Sequence, residues 1–318
     1  IYMTSIFELS TTPSHKEQKK ASGKYVGPIN KIPNMRNSFI RHIFNVQRQR
    51  DTLHKNSNFT RLLVKLTQIR EAQAINISIR DICSNKFLSY VYALASNVPT
   101  AKIYHYGEFG QCDKIPNNCV IKYDKGQDGI YVLCLKEKEN VYNEERDLAW
   151  KSVKDISPET PVMIEELLEN KYTTAECYGG ERKSTHGLID YKMFCFNGNA
   201  EFISIIMRDD EREILKSYWY DLRNDVPLTD NFNYEIFPNK RDLEIMKQYC
   251  QKLNFSTKFF VRIDFYITND GVLFGEYTLR PGNFYKGWRI PKINKNILDL
   301  FSERMELNGV PAPSAPSY

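Results

Sequence analysis

The chain lacks the features that mark several large functional classes. No apolar run approaches the roughly 18 residues needed to span a bilayer, and the opening Ile1-Tyr2-Met3-Thr4-Ser5-Ile6-Phe7 has neither the basic start nor the apolar stretch of a secretory signal. No Cys-x-x-Cys pair occurs among the seven cysteines, whose odd number and scatter argue against a disulfide framework and a zinc site. The five histidines have no ligand spacing, and no Ser-His-Asp or Cys-His signature is evident. No internal repeat is visible. A reducing, cytoplasmic setting is the expectation that follows.

What is present describes a globular chain. Its 318 residues allow two or three packed lobes, and 42% hydrophobic with 13% aromatic content excludes disorder as the general state. The net charge of +5 permits an anionic partner without naming one. The chain begins at Ile1, as expected of a piece of a longer protein. Residues 1 to about 78 form an N-terminal or linker region that is polar and basic at Lys16, Lys19, Lys20, Lys24, Arg36, Arg41, Arg48 and Arg50. A nucleic-acid arm needs an aromatic-basic platform that this region lacks, so RNA binding is the lesser reading.

Sharper patterning begins at Ser84, which can cap a helix through Phe87, Leu88, Val91 and Leu94. Cys119-Val120-Ile121 reads as a strand running into Lys122. A glycine-bearing tip, Lys125-Gly126-Gln127-Asp128-Gly129, then returns as Ile130 to Leu133. Val162-Met163-Ile164 leads into Glu165-Glu166, and Asp190–Phe196 with Ala200–Ile206 reads as a hairpin about Asn197-Gly198. A helix from about Arg241 presents Leu243, Met246, Cys250 and Leu253 on one face. The proline-bearing end, residues 306–318, is expected to be a disordered tail.

Residues 259–280 carry the chemistry. Odd positions from Phe259 to Ile267 and from Leu273 to Leu279 are nearly all apolar, whereas Arg262, Asp264, Tyr266, Glu276, Thr278 and Arg280 share the other face. If Asn269-Asp270-Gly271 is a three-residue turn closed by Thr268 and Val272, Asp264 lies opposite Glu276 and Arg262 opposite Thr278. Opposed carboxylates with Cβ atoms about 5 Å apart repel by about 3 kcal/mol at an effective dielectric of about 20. A proton on one of them, or a cation between them, resolves this. Magnesium suits one or two carboxylates completed by phosphate and water. A charge ladder in which Arg262 and Arg280 pair with the acids fits the hairpin equally well. Lys122, directly before a glycine-bearing loop, favours a phosphate site.

The order of Asn85-Lys86-Phe87, Val120-Ile121-Lys122, Ile164-Glu165-Glu166-Leu167-Leu168, Asp190-Tyr191-Lys192-Met193-Phe194-Cys195-Phe196-Asn197-Gly198, Val261-Arg262-Ile263-Asp264-Phe265-Tyr266 and Phe274-Gly275-Glu276-Tyr277-Thr278 resembles the ATP-grasp superfamily, and within it the TupA-like (teichuronopeptide-biosynthesis) branch. The resemblance implies an α+β fold in which two lobes hold ATP between antiparallel sheets, with lobes at about 79–165 and 166–305. It implies that Lys122 and Lys86 hold ATP phosphates under a lid at Gly126–Gly129. Glu165, Glu166 and Leu167 would meet adenine, and Asp190 and Lys192 would lie near ribose and phosphate. Asp264, Glu276 and Thr278 are the implied magnesium set, Thr278 standing where many relatives have asparagine. Arg262, with Lys122 and Arg280, would steady the transferred phosphoryl group. The implied reaction uses ATP and one or two Mg2+ to join a carboxylate to an amine through an acyl phosphate. The implied partners are a small amine or amino acid and the uronic acid of a capsular or wall polysaccharide. A ligase making glutamyl-type bonds, or a non-catalytic nucleotide- or polysaccharide-binding module, are the alternatives.

Overall fold

The computed structural model describes residues 79–124, 131–141, 150–172, 188–208, 214–255, 259–279, 289–290 and 295–310. In chain order the principal elements are helices α1 (Ile79–Ser84) and α2 (Lys86–Ala95), and strands β1 (Ile103–Glu108), β2 (Cys119–Tyr123), β3 (Val132–Lys136), β4 (Glu139–Asn140) and β5 (Pro161–Glu166). There follow β6 (Asp190–Phe196), β7 (Asn199–Arg208), β8 (Ile214–Asp221), β9 (Val226–Pro227), α3 (Lys240–Lys252), β10 (Phe260–Thr268) and β11 (Gly271–Thr278). The short pair β12 (Arg289–Ile290) and β13 (Lys295–Asn296) leads into α4 (Ile297–Leu307). The fold is α+β, built on two antiparallel sheets, ordered β1-β5-β2-β3-β4 and β11-β10-β6-β7-β8-β9.

Alternation decides what each face of these sheets meets. Cys119, Ile121, Leu133, Leu135, Val162 and Ile164 close over Trp150 and Ile156 on one side of the smaller sheet. Met163, on the other side, joins the main core, where Phe87, Tyr90 and Val91 of α2 meet Ile263, Phe265 and Phe274 of the larger sheet. Helix α2 therefore lies against both sheets. The second face of the larger sheet is apolar only in part: α4 covers Phe194, Phe196, Phe202, Trp219 and Phe260 through Ile297, Phe301 and Met305. Two residues further along β10 and β6, that face carries Arg262 and Lys192 instead of phenylalanine.

Two local expectations are corrected. The N-cap of α2 is Asn85, whose Oδ1 accepts from the Leu88 N–H at 2.7 Å. Ser84 instead closes α1 and turns its hydroxyl back to the Asp81 carbonyl at 3.3 Å. Asn85 has a second task, since its Nδ2 donates to Asp124 Oδ2 at 2.8 Å and so ties α2 to the end of β2. Asn85→Ala removes both contacts and is expected to lower stability by about 1–2 kcal/mol in chemical denaturation.

The second correction concerns the β10–β11 turn, which is tighter than three residues. Thr268 pairs with Gly271 and Ile267 with Val272, and the ladder then shifts by one residue between Asp264 and Phe265. That bulge at Gly275 restores the opposition of Asp264 to Glu276 and of Arg262 to Thr278. It also reverses the alternation along β11, so Val272, Phe274 and Tyr277 are buried and Leu273 is only half-buried. A Cβ on Gly275 would stand 2.8 Å from the Tyr266 ring, closer than side-chain carbons approach, and a tight 3.1 Å from the Asp264 carbonyl oxygen. Glycine is needed there for close approach, not for an unusual φ.

The Asn197-Gly198 hairpin matches its expectation: both residues have positive φ, 53° and 81°, and Phe196 pairs with Asn199. Helix α3 begins one residue before Arg241, capped by Asn239, with Met246, Cys250 and Leu253 buried but Leu243 only partly so. Helix α4 runs to Leu307, past the expected boundary at 305, and Val310 is still buried. Residues 1–78, 125–130, 173–187 and 311–318 lie outside the described residues.

Candidate active site

A single row of backbone partners crosses the larger sheet: Glu276 opposite Asp264, Asp264 opposite Lys192, Lys192 opposite Ser204. These side chains stand on the face that α4 leaves uncovered. Asp264 is 1% exposed, a carboxylate that survives burial only with cations against it. Lys192 Nζ lies 2.5 Å from its Oδ2, and Arg262 donates from Nε to Oδ1 at 2.6 Å and from Nη2 to Oδ2 at 2.7 Å. Burial would raise the Asp264 pKa, but Arg262 and Lys192 outweigh it and hold the carboxyl below the usual range.

Arg262 Nη2 also reaches Glu276 Oε1 at 3.0 Å, and Thr278 Oγ1 donates to the same oxygen at 3.4 Å. The opposed acids thus tolerate each other through a cation that the protein itself supplies. Glu276 is the more open of the two, with 45% of its side-chain surface exposed. Loss of hydration around its carboxylate, together with the Asp264 charge, pushes its pKa up against Arg262, Lys192 and Lys86. At the far end of the row Lys192 Nζ also meets Asp190 Oδ2 at 3.2 Å, and Arg208 Nε approaches that oxygen at 3.6 Å.

The smaller sheet contributes from the opposite side. Lys122 Nζ is in close contact with Glu165 Oε1, and Glu165 is 3% exposed. Lys86, at the first turn of α2, feels Glu276 of the larger sheet and Lys122, Asp124 and Glu165 of the smaller one, while burial lowers its pKa. These interactions bring Lys86, Lys122, Glu165 and Glu276 into one electrostatic neighbourhood. Glu166 lies nearer the surface: its N–H donates to the Lys102 carbonyl at 2.9 Å and its carboxylate accepts from the Lys102 N–H at 3.5 Å. Leu167 is half-buried beside it. Gly126, Gly129 and Arg280 lie outside the described residues.

The donor set suits magnesium. Among the described residues no three His, Cys, Asp or Glu side chains converge, so a cation would rest on the two carboxylates and on ligand oxygens, the pattern magnesium accepts. Among the described residues, the hydrogen bonds to Asp264 use three of about four lone-pair positions on that carboxylate, and those to Glu276 reach Oε1. With respect to the described residues, one position on Asp264 and the Oε2 of Glu276 remain for a metal.

Sequence reasoning missed Asp124 and Arg208. Asp124 stands two residues beyond Lys122, hence on the same strand face, and alternation alone could have found it. The approach of Arg208 to Asp190 depends on the β6–β7 register, which places Asp190 opposite Ile206.

A family model described as TupA-like ATPgrasp matches residues 60–299. No curated protein matches the chain. Among solved structures it is similar to D-alanine–D-alanine ligase from Helicobacter pylori, at 14% identity and TM-score 0.42, over 74% of this chain and 61% of that one. It is also similar to N5-carboxyaminoimidazole synthetase from Staphylococcus aureus complexed with ADP, at 10% identity and TM-score 0.41, over 64% and 46%. A third is L-amino acid ligase from Bacillus licheniformis, at 8% identity and TM-score 0.43, over 78% and 55%. The chain spans less than two thirds of each of these structures.

Proposed function

The chain belongs to the TupA-like ATP-grasp family, and from that premise we propose that it is an ATP-dependent carboxylate–amine ligase working through an acyl phosphate. The observation that carries this reading is the set of cations, Lys86 and Lys122 on one side and Lys192 and Arg262 on the other, gathered around the opposed pair Asp264 and Glu276. Such an array matches a polyanion held with a divalent cation, where positioning and electrostatics do most of the work of phosphoryl transfer.

In this reading Lys86 and Lys122 bind the triphosphate, beneath the loop that carries Gly126 and Gly129. Asp190 lies near the ribose, and Glu165, Glu166 and Leu167 lie along the adenine. Asp264 and Glu276, with Thr278 beside them, would hold magnesium, which would neutralise charge on the phosphate oxygens. Arg262 and Lys192 steady the transferring group, with Arg280 as a third cation. A substrate carboxylate oxygen takes the γ-phosphoryl group as the bond to ADP breaks. The amine nitrogen then attacks the acyl carbon, loses a proton, and displaces phosphate to leave an amide.

The substrate proposed is a uronic acid carboxylate of a cell-surface polysaccharide, amidated by a small amine or amino acid. The branch's association with teichuronopeptide and the net charge of +5 support it. Among the described residues no helix is long and apolar enough to cross a membrane, which is compatible with work in the cytoplasm where ATP is available. The test is ADP release over a panel of uronates and amines, with amino acids as acceptors in a parallel arm. Release that requires both a uronate and an amine is expected. Release with amino acids alone assigns a peptide-type bond instead, and Mg-ATP binding without turnover on any pair assigns a non-catalytic module.

A further inference from the structure

The backbone of Lys86 is held from both sides by the sheet that carries Lys122. Before it in the chain, Asn85 caps α2 through Oδ1 and donates from Nδ2 to Asp124 Oδ2 at 2.8 Å. After it, Phe87 stacks on the Tyr106 ring, with centroids 3.8 Å apart and planes 5° from parallel. The two anchors converge, because the Tyr106 hydroxyl donates to the same Asp124 oxygen at 3.2 Å. Asp124 is 1% exposed, so its bonds are made away from competing water.

Strand register ties this clamp to Lys122. Tyr106 pairs with Met163 and Met163 with Lys122, so Tyr106 and Lys122 stand in one row on one face of the smaller sheet. From there Tyr106 reaches across β5 to Asp124, two residues beyond Lys122. The Asp124 N–H donates to the Pro161 carbonyl at 3.2 Å, which carries the β2–β5 ladder one step past Tyr123. The shared acceptor is therefore fixed to the strand of Lys122. Burial first, and the Asp124 charge next, raise the Tyr106 pKa, so the phenol stays a donor.

A buried carboxylate close to two lysines that bind a triphosphate is, by charge alone, a handicap, since it repels the phosphates. Its gain lies in geometry. A lysine ammonium rides on a flexible four-carbon stem, and what the fold can fix is the point from which that stem starts. We propose that Asp124 is a positioning residue: through Asn85 and Tyr106 it sets Lys86 against Lys122 at the spacing that lets both ammonium groups meet one triphosphate. The inference rests on the assignment of both lysines to the phosphates.

The experiment uses two changes, each made in wild type and in Lys86→Met. Tyr106→Phe removes one arm of the clamp and alters no charge; Asp124→Ala removes both arms and a negative charge. Mg-ATP affinity is measured by calorimetry, and folding is checked by melting without nucleotide. Tyr106→Phe is expected to bind Mg-ATP about threefold or more weakly and Asp124→Ala about tenfold or more weakly, on the scale that misplacing a positioned group costs. In the Lys86→Met background both losses should shrink to within about twofold. If Asp124→Ala does not fold, Tyr106→Phe decides. Tighter binding by Asp124→Ala, the result if its charge alone mattered, overturns the proposal. So do unchanged affinity in Tyr106→Phe, equal losses with and without Lys86, or wild-type affinity in Lys86→Met. No Mg-ATP binding by wild type would instead overturn the nucleotide assignment, so the two failures are distinguishable.

Discussion

Glu276→Gln is expected to cut amine-dependent ADP release by at least about 10²-fold, the scale lost when one preorganised electrostatic group is removed from an active site, with the melting temperature held. The same change at its opposite partner should separate from it on stability. Glu276 has its pKa raised in the folded chain. An acid so shifted favours folding while protonated, and that contribution is lost as the pH rises through the folded-state value. Glutamine mimics the protonated form, so Glu276→Gln is neutral or mildly stabilising at neutral pH. Asp264 is shifted downward. Its contribution is present above the unfolded-state value and lost as pH falls through the folded one. Asp264→Asn therefore abolishes turnover and also destabilises, because Arg262 and Lys192 lose their shared counter-charge. Turnover assays paired with thermal melts distinguish the two. Full activity in both variants removes the metal assignment.

Lys192→Met carries the largest expected loss of stability. Its ammonium touches Asp264 at 2.5 Å and Asp190 at 3.2 Å, and its side chain is only 10% exposed. Breaking a buried pair from one side typically costs about 3–5 kcal/mol, since the remaining charge stays buried without its partner. Arg262 still holds Asp264, which places this variant toward the lower end of that range. In a protein of this size each kcal/mol corresponds to about 2–4 °C, so the melting temperature should fall by roughly 6–12 °C. The acid limb of its stability profile should also move upward in pH, because Asp264 loses one of the two charges that depress its pKa. A melting temperature within about 2 °C of wild type, on the same scale, would mean that Lys192 and Asp264 do not form the pair described.

The chemistry-bearing face was legible because strand alternation is strict along β10: Arg262, Asp264 and Tyr266 separate cleanly from Ile263, Phe265 and Ile267. The opposition of Asp264 to Glu276 was also legible, but by a different route from the real one. A three-residue turn with a regular ladder and a two-residue turn with a bulge at Gly275 give the same pairing at that point. They differ at Leu273 and Phe274, whose faces were misread, and the glycine inside an otherwise regular strand was the available sign. Ser84 and Asn85 are both competent caps; which one serves α2 depends on α1 ending at Ser84.

Other features needed the assembled chain. Strand β8 has Tyr218, Trp219 and Tyr220 all buried, because main-core residues cover one face and α4 the other, so no alternation marks it as a strand. Lys86, Lys122, Glu165 and Glu276 meet only through the packing of α2 against both sheets. The role of Arg262 as the cation between the two acids was one of two open readings, since sequence places it on the right face without saying where its guanidinium turns.

Everything in the functional account depends on the charged face between the sheets receiving a metal-bound triphosphate. Calorimetric titration of the wild-type chain with a non-hydrolysable ATP analogue, in magnesium and again in chelator, tests this most directly. The account predicts a single site whose affinity falls by at least about tenfold without magnesium, as expected when a cation joins two carboxylates to phosphate oxygens. Equal affinity in chelator, or no heat at millimolar nucleotide in either buffer, would contradict it.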